Sequence, residues 1–224
     1  MKSSDANRAS PYAFSASGRL AGPIEVAGRF ADGARHRRYE RFLRTIRPEP
    51  EEELVDIGCG SSWSLAELDP TARVTGVDLA YRGGFEAEHQ GFVTADACDL
   101  PFASDTFDIA YSNSLVEHIG TDRRRRFADE LRRVAGRYWV QTPNRWFPIE
   151  PHALLPGVQL LPVALRRRAW KLSPRQIPYE ESLELLGPDE LADLFDDGLI
   201  LEERVGPLTK SLIAVGPRTS FRQL

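Results

Sequence analysis

The sequence predicts an α/β protein built on a seven-stranded, mostly parallel sheet, with an antiparallel last strand and helices on both faces. Three observations carry this. Short apolar runs alternate with helical segments, which implies crossover connections and a sheet covered on both sides. The first run ends in a glycine turn, Gly58-Cys59-Gly60. The last two runs, 199–205 and 211–215, are joined by only a few residues around Gly206-Pro207, too few for a crossover, so they should pair antiparallel.

Taken in order, residues 1–30 are polar and rich in Gly, Ser and Ala, and are expected to be flexible, leaving 31–224 as one domain. Between Ala34 and Arg47, the apolar Tyr39, Phe42, Leu43 and Ile46 recur at helical spacing until Pro48 and Pro50 stop the helix. Glu53–Ile57 reads as a buried strand. Ser61 or Ser62 is expected to cap a short helix that runs to about Leu68. Strands follow at Arg73–Leu79, Gly91–Ala95 and Phe107–Ser112. Thr121 or Asp122 is expected to cap a helix that ends at Gly136, with Phe127, Leu131 and Val134 on its apolar face. A fifth strand is expected at Tyr138–Gln141 and a helix at Pro188–Phe195. The stretch 145–187 is long for a connection and rich in proline and aromatics, and reads as a lid or substrate-recognition insertion.

The bulk numbers narrow the function classes. A chain of 224 residues fits a single domain with elaborations. A net charge of −4 argues against a dedicated nucleic-acid binder, and no specific nucleic-acid partner is expected. The cysteines, Cys59 and Cys98, make neither a disulfide framework nor a zinc pattern. The N-terminal stretch lacks the apolar core of a secretory signal, and no apolar run reaches the roughly 20 residues of a membrane span. A cytoplasmic protein is expected. The mixture of Leu165 and Trp170 with Arg166, Arg167, Arg168, Lys171 and Arg175 in 163–175 allows weak membrane-surface contact, but a charged lid helix is the simpler reading.

In an open parallel sheet, ligands lie beyond the carboxyl ends of the strands. Here those ends carry Asp56 with Gly58-Cys59-Gly60, then Asp78, then Asp96-Ala97, then Ser112-Asn113. Asp78 follows Gly60 by eighteen positions, where a carboxylate can take both hydroxyls of a ribose. The set describes a polar pocket for a nucleoside. Trp63 stands where a dinucleotide fingerprint needs a small residue, which speaks against an NAD(P)-linked enzyme, and no phosphate-binding loop of the NTPase kind occurs.

The runs Leu54-Val55-Asp56-Ile57-Gly58-Cys59-Gly60, Val77-Asp78-Leu79, Asp96-Ala97-Cys98-Asp99-Leu100-Pro101-Phe102 with Phe107-Asp108, and Ser114-Leu115-Val116-Glu117-His118-Ile119 resemble the successive motifs of class I S-adenosylmethionine-dependent methyltransferases of the small-molecule, type-11-like kind. The resemblance covers about residues 50–145 by motif and 188–216 by element order. It implies a Rossmann-like fold and S-adenosylmethionine as cofactor. It places Asp56 and the backbone of Gly58, Cys59 and Gly60 toward the methionine end and ribose, Asp78 on the ribose diol and Leu79 against adenine. Asp96 and Ala97 fall beside the adenine amine, and Ser112 and Asn113 along the methionine side. Many family members carry a further glycine where this chain has Ser62.

Each assignment has a plainer counterpart. Asp56 could orient the glycine loop through backbone hydrogen bonds, Cys59 could be a packing residue, and Asp99 and Asp108 read as turn or strand-start residues. The arginine run 123–126 reads as the solvated face of a helix. His118, just past the fourth strand, and Glu150 and His152, in a proline-stiffened turn after the fifth, are the candidate catalytic residues. No metal site is expected, a Glu/His pair alone being thin support for one. The function expected is methyl transfer to a small molecule or a glycan or lipid precursor. A regulator that binds the cofactor without catalysis is the alternative, because no obvious base stands out.

Overall fold

In the computed structural model, which describes residues 33, 36–60, 64–85, 87–175 and 178–221, seven strands form one sheet. They are β1 (Glu53–Ile57), β2 (Arg73–Asp78), β3 (Gln90–Thr94), β4 (Phe107–Asn113), β5 (Ala135–Pro143), β8 (Leu199–Val205) and β9 (Leu208–Gly216). Their order is β3-β2-β1-β4-β5-β9-β8. The pairs β1–β2, β1–β4, β2–β3 and β4–β5 are parallel, and β9 runs antiparallel to both β5 and β8. The expected architecture is therefore present, and the strand order reverses between β1 and β4.

Period-two alternation sorts the strand side chains onto two faces. Val55, Ala110, Tyr138, Leu212 and Ala214 join Phe127, Leu131 and Val134 of α3 (Arg124–Val134) and Leu191 of α5 (Pro188–Leu194) in one core. Leu54, Ile109, Trp139, Ile213 and Val215 join Phe42 and Ile46 of α1 (36–46) and Leu65 of α2 (Leu65–Leu68) in the other. Phe42 is fully buried and meets Tyr111 and Trp139 edge-on, at ring-centroid distances of 5.1 and 5.8 Å.

Several boundaries differ from expectation. Ser64 caps α2, its hydroxyl accepting from the Glu67 amide, while Ser61, Ser62 and Trp63 lie outside the described residues, as do residues 1–30. β2 ends at Asp78, one residue before the expected Leu79. Neither Thr121 nor Asp122 caps α3; Arg123 holds that position without a side-chain cap. α3 stops at Val134 and passes straight into β5, so Gly136 is a strand residue and not a helix terminator. Pairing with β4, which begins at Phe107↔Ala135, supplies the backbone partners that extend β5 beyond its apolar stretch.

The arginine run is not a uniformly solvated face. Arg124 is buried, and its guanidinium donates to the carbonyls of Ile119 and Glu184. Arg123 and Arg126 pair with Asp96 and Asp99.

The segment 145–187 folds around a core of its own, with Ala153, Val158, Trp170, Leu183 and Leu185 buried together. It contains the small antiparallel pair β6 (Ile149–Glu150) and β7 (Leu155–Pro156), a 3-10 turn at Val158–Leu160, and α4 (Val163–Trp170). Its two ends meet at an Asn144–Leu186 bridge, and Arg145 reinforces this root by donating to the Leu185 carbonyl. Two arginines of α4 are tied down within the insertion: Arg166 donates to the carbonyls of Leu183, Gln159 and Leu161, and Arg167 pairs with Glu181. Among the described residues, no helix is long and apolar enough to cross a membrane.

Candidate active site

The strand-tip residues converge where β1 and β4 part. Gly58 and Gly60 adopt φ of 75° and 64°, the left-handed region that costs other residues about 1 kcal/mol or more. The turn they make is fastened to β2: the Gly58 amide donates to the Val77 carbonyl at 2.8 Å, and the Gly60 amide to Asp78 Oδ2 at 3.0 Å. Sequence reading placed Gly60 and Asp78 at one site, and the fold joins them directly. A Cβ on Gly58 would lie 2.7 Å from Leu115, whereas a Cβ on Gly60 would meet nothing within 4 Å among the described residues. One glycine is required for packing; the other is not crowded by any described residue. Leu79, next to Asp78, is an exposed leucine.

Asp56 is buried, and its Oδ2 accepts the Leu65 amide at 2.7 Å. This bond ties the end of β1 to the start of α2. Burial pushes its carboxyl up to about 7, against the lowering effect of the Leu65 amide and with a smaller contribution from the charge of Asp78. Cys59 packs in the core beside α1 and α2, and burial, with the charges of Asp56 and Asp78, drives its thiol far above the usual range, so it stays protonated. Ser112 is buried and donates from Oγ to the Ile57 carbonyl at 2.9 Å, clamping β4 to β1 at their tips. Asp96 opens a tight turn through Ala97: its Oδ1 accepts the Cys98 amide and its Oδ2 accepts from Arg123 at 2.7 Å. The hydrogen bond from Arg123, with that from the Cys98 amide, lowers its pKa.

Asn113 has a partner that sequence reading missed. Arg38, on α1, donates to Asn113 Oδ1 at 2.8 Å and to Glu203 Oε2 of β8 at 3.1 Å, which holds α1 across the tip of β4. A cleft of about 280 Å³ between α1, residues 48–54 and α2 lies at the amino ends of β1 and β2, away from these tips.

Beyond β4 the chain turns at Ser114, in the left-handed region at φ 58°, and enters a 3-10 helix at Val116–His118. This turn brings His118 against His152 from the insertion, the rings edge-to-face at 5.0 Å. Each imidazole is held by a carboxylate. His118 Nδ1 donates to Glu180 Oε2 at 2.7 Å, and His152 Nδ1 to Glu150 Oε1 at 2.6 Å. Burial disfavours the His118 cation, yet the Glu180 hydrogen bond and the charges of Glu117, Glu180 and Glu150 outweigh it and raise its pKa. The same hydrogen bond holds Glu180 at about 2. Glu150, which burial would raise, is lowered by His152 and by the Ala153 and His152 amides. Three catalytic candidates, His118, Glu150 and His152, are therefore brought together. Glu117 and Glu180 were missed: Glu117 stands beside a candidate base in the sequence, a usable signal, but Glu180 sits in a charged stretch that nothing distinguishes.

Residues 55–137, which span β1 through the start of β5, match the family model described as "Methyltransferase domain". This segment is therefore similar to a methyltransferase domain. Over 94 residues it is 31% identical to an O-methyltransferase of Pyrenophora dematioidea, covering 37% of this chain and 35% of that protein. Over 90 residues it is 32% identical to malonyl-[acyl-carrier protein] O-methyltransferase of Legionella pneumophila, covering 36% and 31%. The chain thus matches about a third of the length of these curated relatives. Among solved structures, a 1,6-didemethyltoxoflavin-N1-methyltransferase of Burkholderia thailandensis with bound S-adenosylhomocysteine shares the fold with a TM-score of 0.55 at 16% identity, over 90% of this chain and 91% of that one. A geranyl diphosphate C-methyltransferase of Streptomyces coelicolor shares it at 0.55 and 14% identity, over 84% and 79%. The matched segment holds the glycine turn, Asp78 and the Ser112-Asn113 tip, and the insertion lies outside it.

Proposed function

We propose that the chain transfers a methyl group from S-adenosylmethionine to a small-molecule acceptor, with a hydroxyl as the acceptor group. The observation that carries the reading is the clasp between the glycine turn and Asp78 at the β1–β4 switch point, with the two imidazoles standing past the tip of β4. The residues fit a nucleoside there. Among the described residues, Asp78 Oδ1 makes only a long contact, 3.4 Å, to the Ala80 amide, which leaves it to a ribose diol, and nothing lies within 4 Å of a Cβ on Gly60; exposed Leu79 offers an apolar face to adenine. Asp96 and Ala97 are assigned to the adenine edge, and Gly58, Ser112 and Asn113 to the methionine side. The cofactor supplies an activated methyl on a good leaving group. The protein's task is then alignment, which can lower such a barrier by roughly 7–11 kcal/mol.

An acceptor hydroxyl must lose its proton. His118 or His152, each fixed through Nδ1 by a carboxylate, presents Nε2 to take it, an effect of roughly 10²–10⁴-fold. Two carboxylate-held imidazoles remove the motive for the regulator reading, which was the lack of a visible base. The names of the curated relatives support an oxygen acceptor. The insertion, whose residues complete the imidazole pair, is the element assigned to acceptor recognition.

Calorimetry with S-adenosylmethionine and S-adenosylhomocysteine tests the reading. Single-site binding of both is expected, and a folded chain that binds neither rejects it.

A further inference from the structure

We propose that Glu117, His118 and His152 form a binding site for a first-row transition-metal dication, with Zn²⁺ the best match to the donors. One donor atom from each residue lies within 4.8 Å of the other two. Both histidines arrive with Nδ1 committed to a carboxylate, Glu180 for one and Glu150 for the other. A carboxylate accepts, so Nδ1 carries the hydrogen and the lone pair of each neutral ring sits on Nε2. Metal-binding histidines are oriented in this way, by a carboxylate or carbonyl on the far nitrogen.

Glu117 supplies the independent observation. It is fully buried, its Oε2 accepts the Thr142 hydroxyl at 3.0 Å, and its Oε1 has no hydrogen-bond partner. A buried carboxylate oxygen without a partner has given up its hydration with nothing to replace it. This oxygen stands 3.9 Å from His152 Nε2, too far for a hydrogen bond. Two ligands of one ion, each about 2.0–2.2 Å from it, sit roughly 3–3.6 Å apart, so a modest inward rotation closes the site. An ion pair alone would leave Oε1 unsatisfied; a shared cation satisfies all three atoms.

The donor set selects the metal. Two imidazoles and one carboxylate suit Zn²⁺ and its first-row neighbours, whereas Mg²⁺ and Ca²⁺ prefer oxygen throughout. Three protein ligands leave a position open, as in catalytic zinc sites. Metal binding does not depend on the methyl-transfer reading. The role that follows does rest on it: with both Nε2 atoms on the metal, an acceptor hydroxyl at the open position would have a lowered pKa and release its proton to solvent, so that in the metal-loaded protein the metal takes the place of the imidazole base.

The test uses the full chain, stripped with a chelator and titrated with Zn²⁺ by calorimetry, with Co²⁺ absorption as a second probe. One equivalent is expected to bind, with a rise in Tm. His152→Ala and Glu117→Gln should each weaken binding at least 100-fold. Glu150→Gln, which touches no metal, should weaken it about 10- to 100-fold through the orientation of His152. S-adenosylhomocysteine affinity is measured on the same samples, so loss of cofactor binding with metal binding intact counts against the methyl-transfer reading alone. No binding by the folded chain, or binding that survives both His152→Ala and Glu117→Gln, overturns the proposal.

Discussion

The crevice at the tips of β1 and β2 and the imidazole cluster beneath the insertion are built from different materials. The crevice is mostly backbone: two left-handed glycines, amides of the turn, and one carboxylate fixed by an amide. Its parts come from adjacent parallel strands, and their register sets the geometry. The cluster is made of side chains, its hydrogen-bonded partners separated by up to 62 residues in sequence and held by carboxylate–imidazole bonds. The crevice lies within the segment matched by the methyltransferase family model, while Glu150, His152 and Glu180 lie outside it. Under the proposed function this contrast is a division of labour: a strand-tip frame for the cofactor, and an insertion that adds the chemistry facing the second substrate. The two regions are therefore expected to be damaged separately.

The largest separable effect is expected at Asp78. Asp78→Ala removes both the proposed ribose contact and the tether on Gly60. Two hydrogen bonds to a charged group, at about 1.5–3 kcal/mol each, correspond to a loss of S-adenosylmethionine affinity of about 100-fold or more. Calorimetry reads this directly, and affinity within threefold of the unaltered chain would remove Asp78 from the site. Gly58→Ala should come next. The new Cβ meets Leu115 and takes an unfavourable φ, at a combined cost of about 2–4 kcal/mol in urea denaturation. A stability change below about 0.5 kcal/mol would mean that the turn rearranges easily, contrary to the rigid frame described here.

The same contrast explains what could be read from the sequence. The strands, their alternation of faces, and the pairing of the glycine turn with Asp78 follow from local periodicity and fixed spacing, which a single chain displays. The end of α3 at Val134 did not follow, because Gly136 looks like a helix terminator until the partner β4 supplies hydrogen bonds for a strand. Arg124 was legible only as one of four arginines; its burial depends on carbonyls of Ile119 and Glu184 that the fold brings to it. Arg38 is hidden for a similar reason: its partners, Asn113 and Glu203, are 75 and 165 residues away. Glu180 carries no local pattern at all. Long-range side-chain pairs are fixed by tertiary placement, and no periodicity announces them.

Arg124 offers a smaller and more local test of separability. Its guanidinium ties the 3-10 segment that carries His118 to the closing end of the insertion at Glu184. Arg124→Met keeps the apolar stem and removes the donors, so about 1.5–3 kcal/mol of local stabilisation is lost. Amide hydrogen exchange should rise within 145–187 and at 116–120, while S-adenosylhomocysteine affinity changes less than threefold. Protection that falls equally in β1 and β2 would show that crevice and insertion unfold together, and the division proposed above would fail.

The smallest effect lies inside the crevice, at Asp56, and separates a loop-orienting carboxyl from a charged ligand. Its folded carboxyl titrates near 7, against about 3.9 in an unfolded chain. Between these values the native state holds a proton that the unfolded state has shed. The contribution of Asp56 to stability is therefore fully present below about pH 4, declines as pH rises toward 7, and is flat above that; the limiting slope is about 1.4 kcal/mol per pH unit. Asp56→Asn keeps an acceptor for the Leu65 amide but cannot titrate. The difference in stability between the two chains should move in favour of the variant from pH 4 to 7, and the variant should be at least as stable at pH 8. Urea midpoints taken across that range measure the difference. Parallel profiles would mean that Asp56 is ionised throughout, as a carboxylate paired with the cofactor's ammonium would have to be, and not the neutral brace that its burial against Leu65 implies for the free protein.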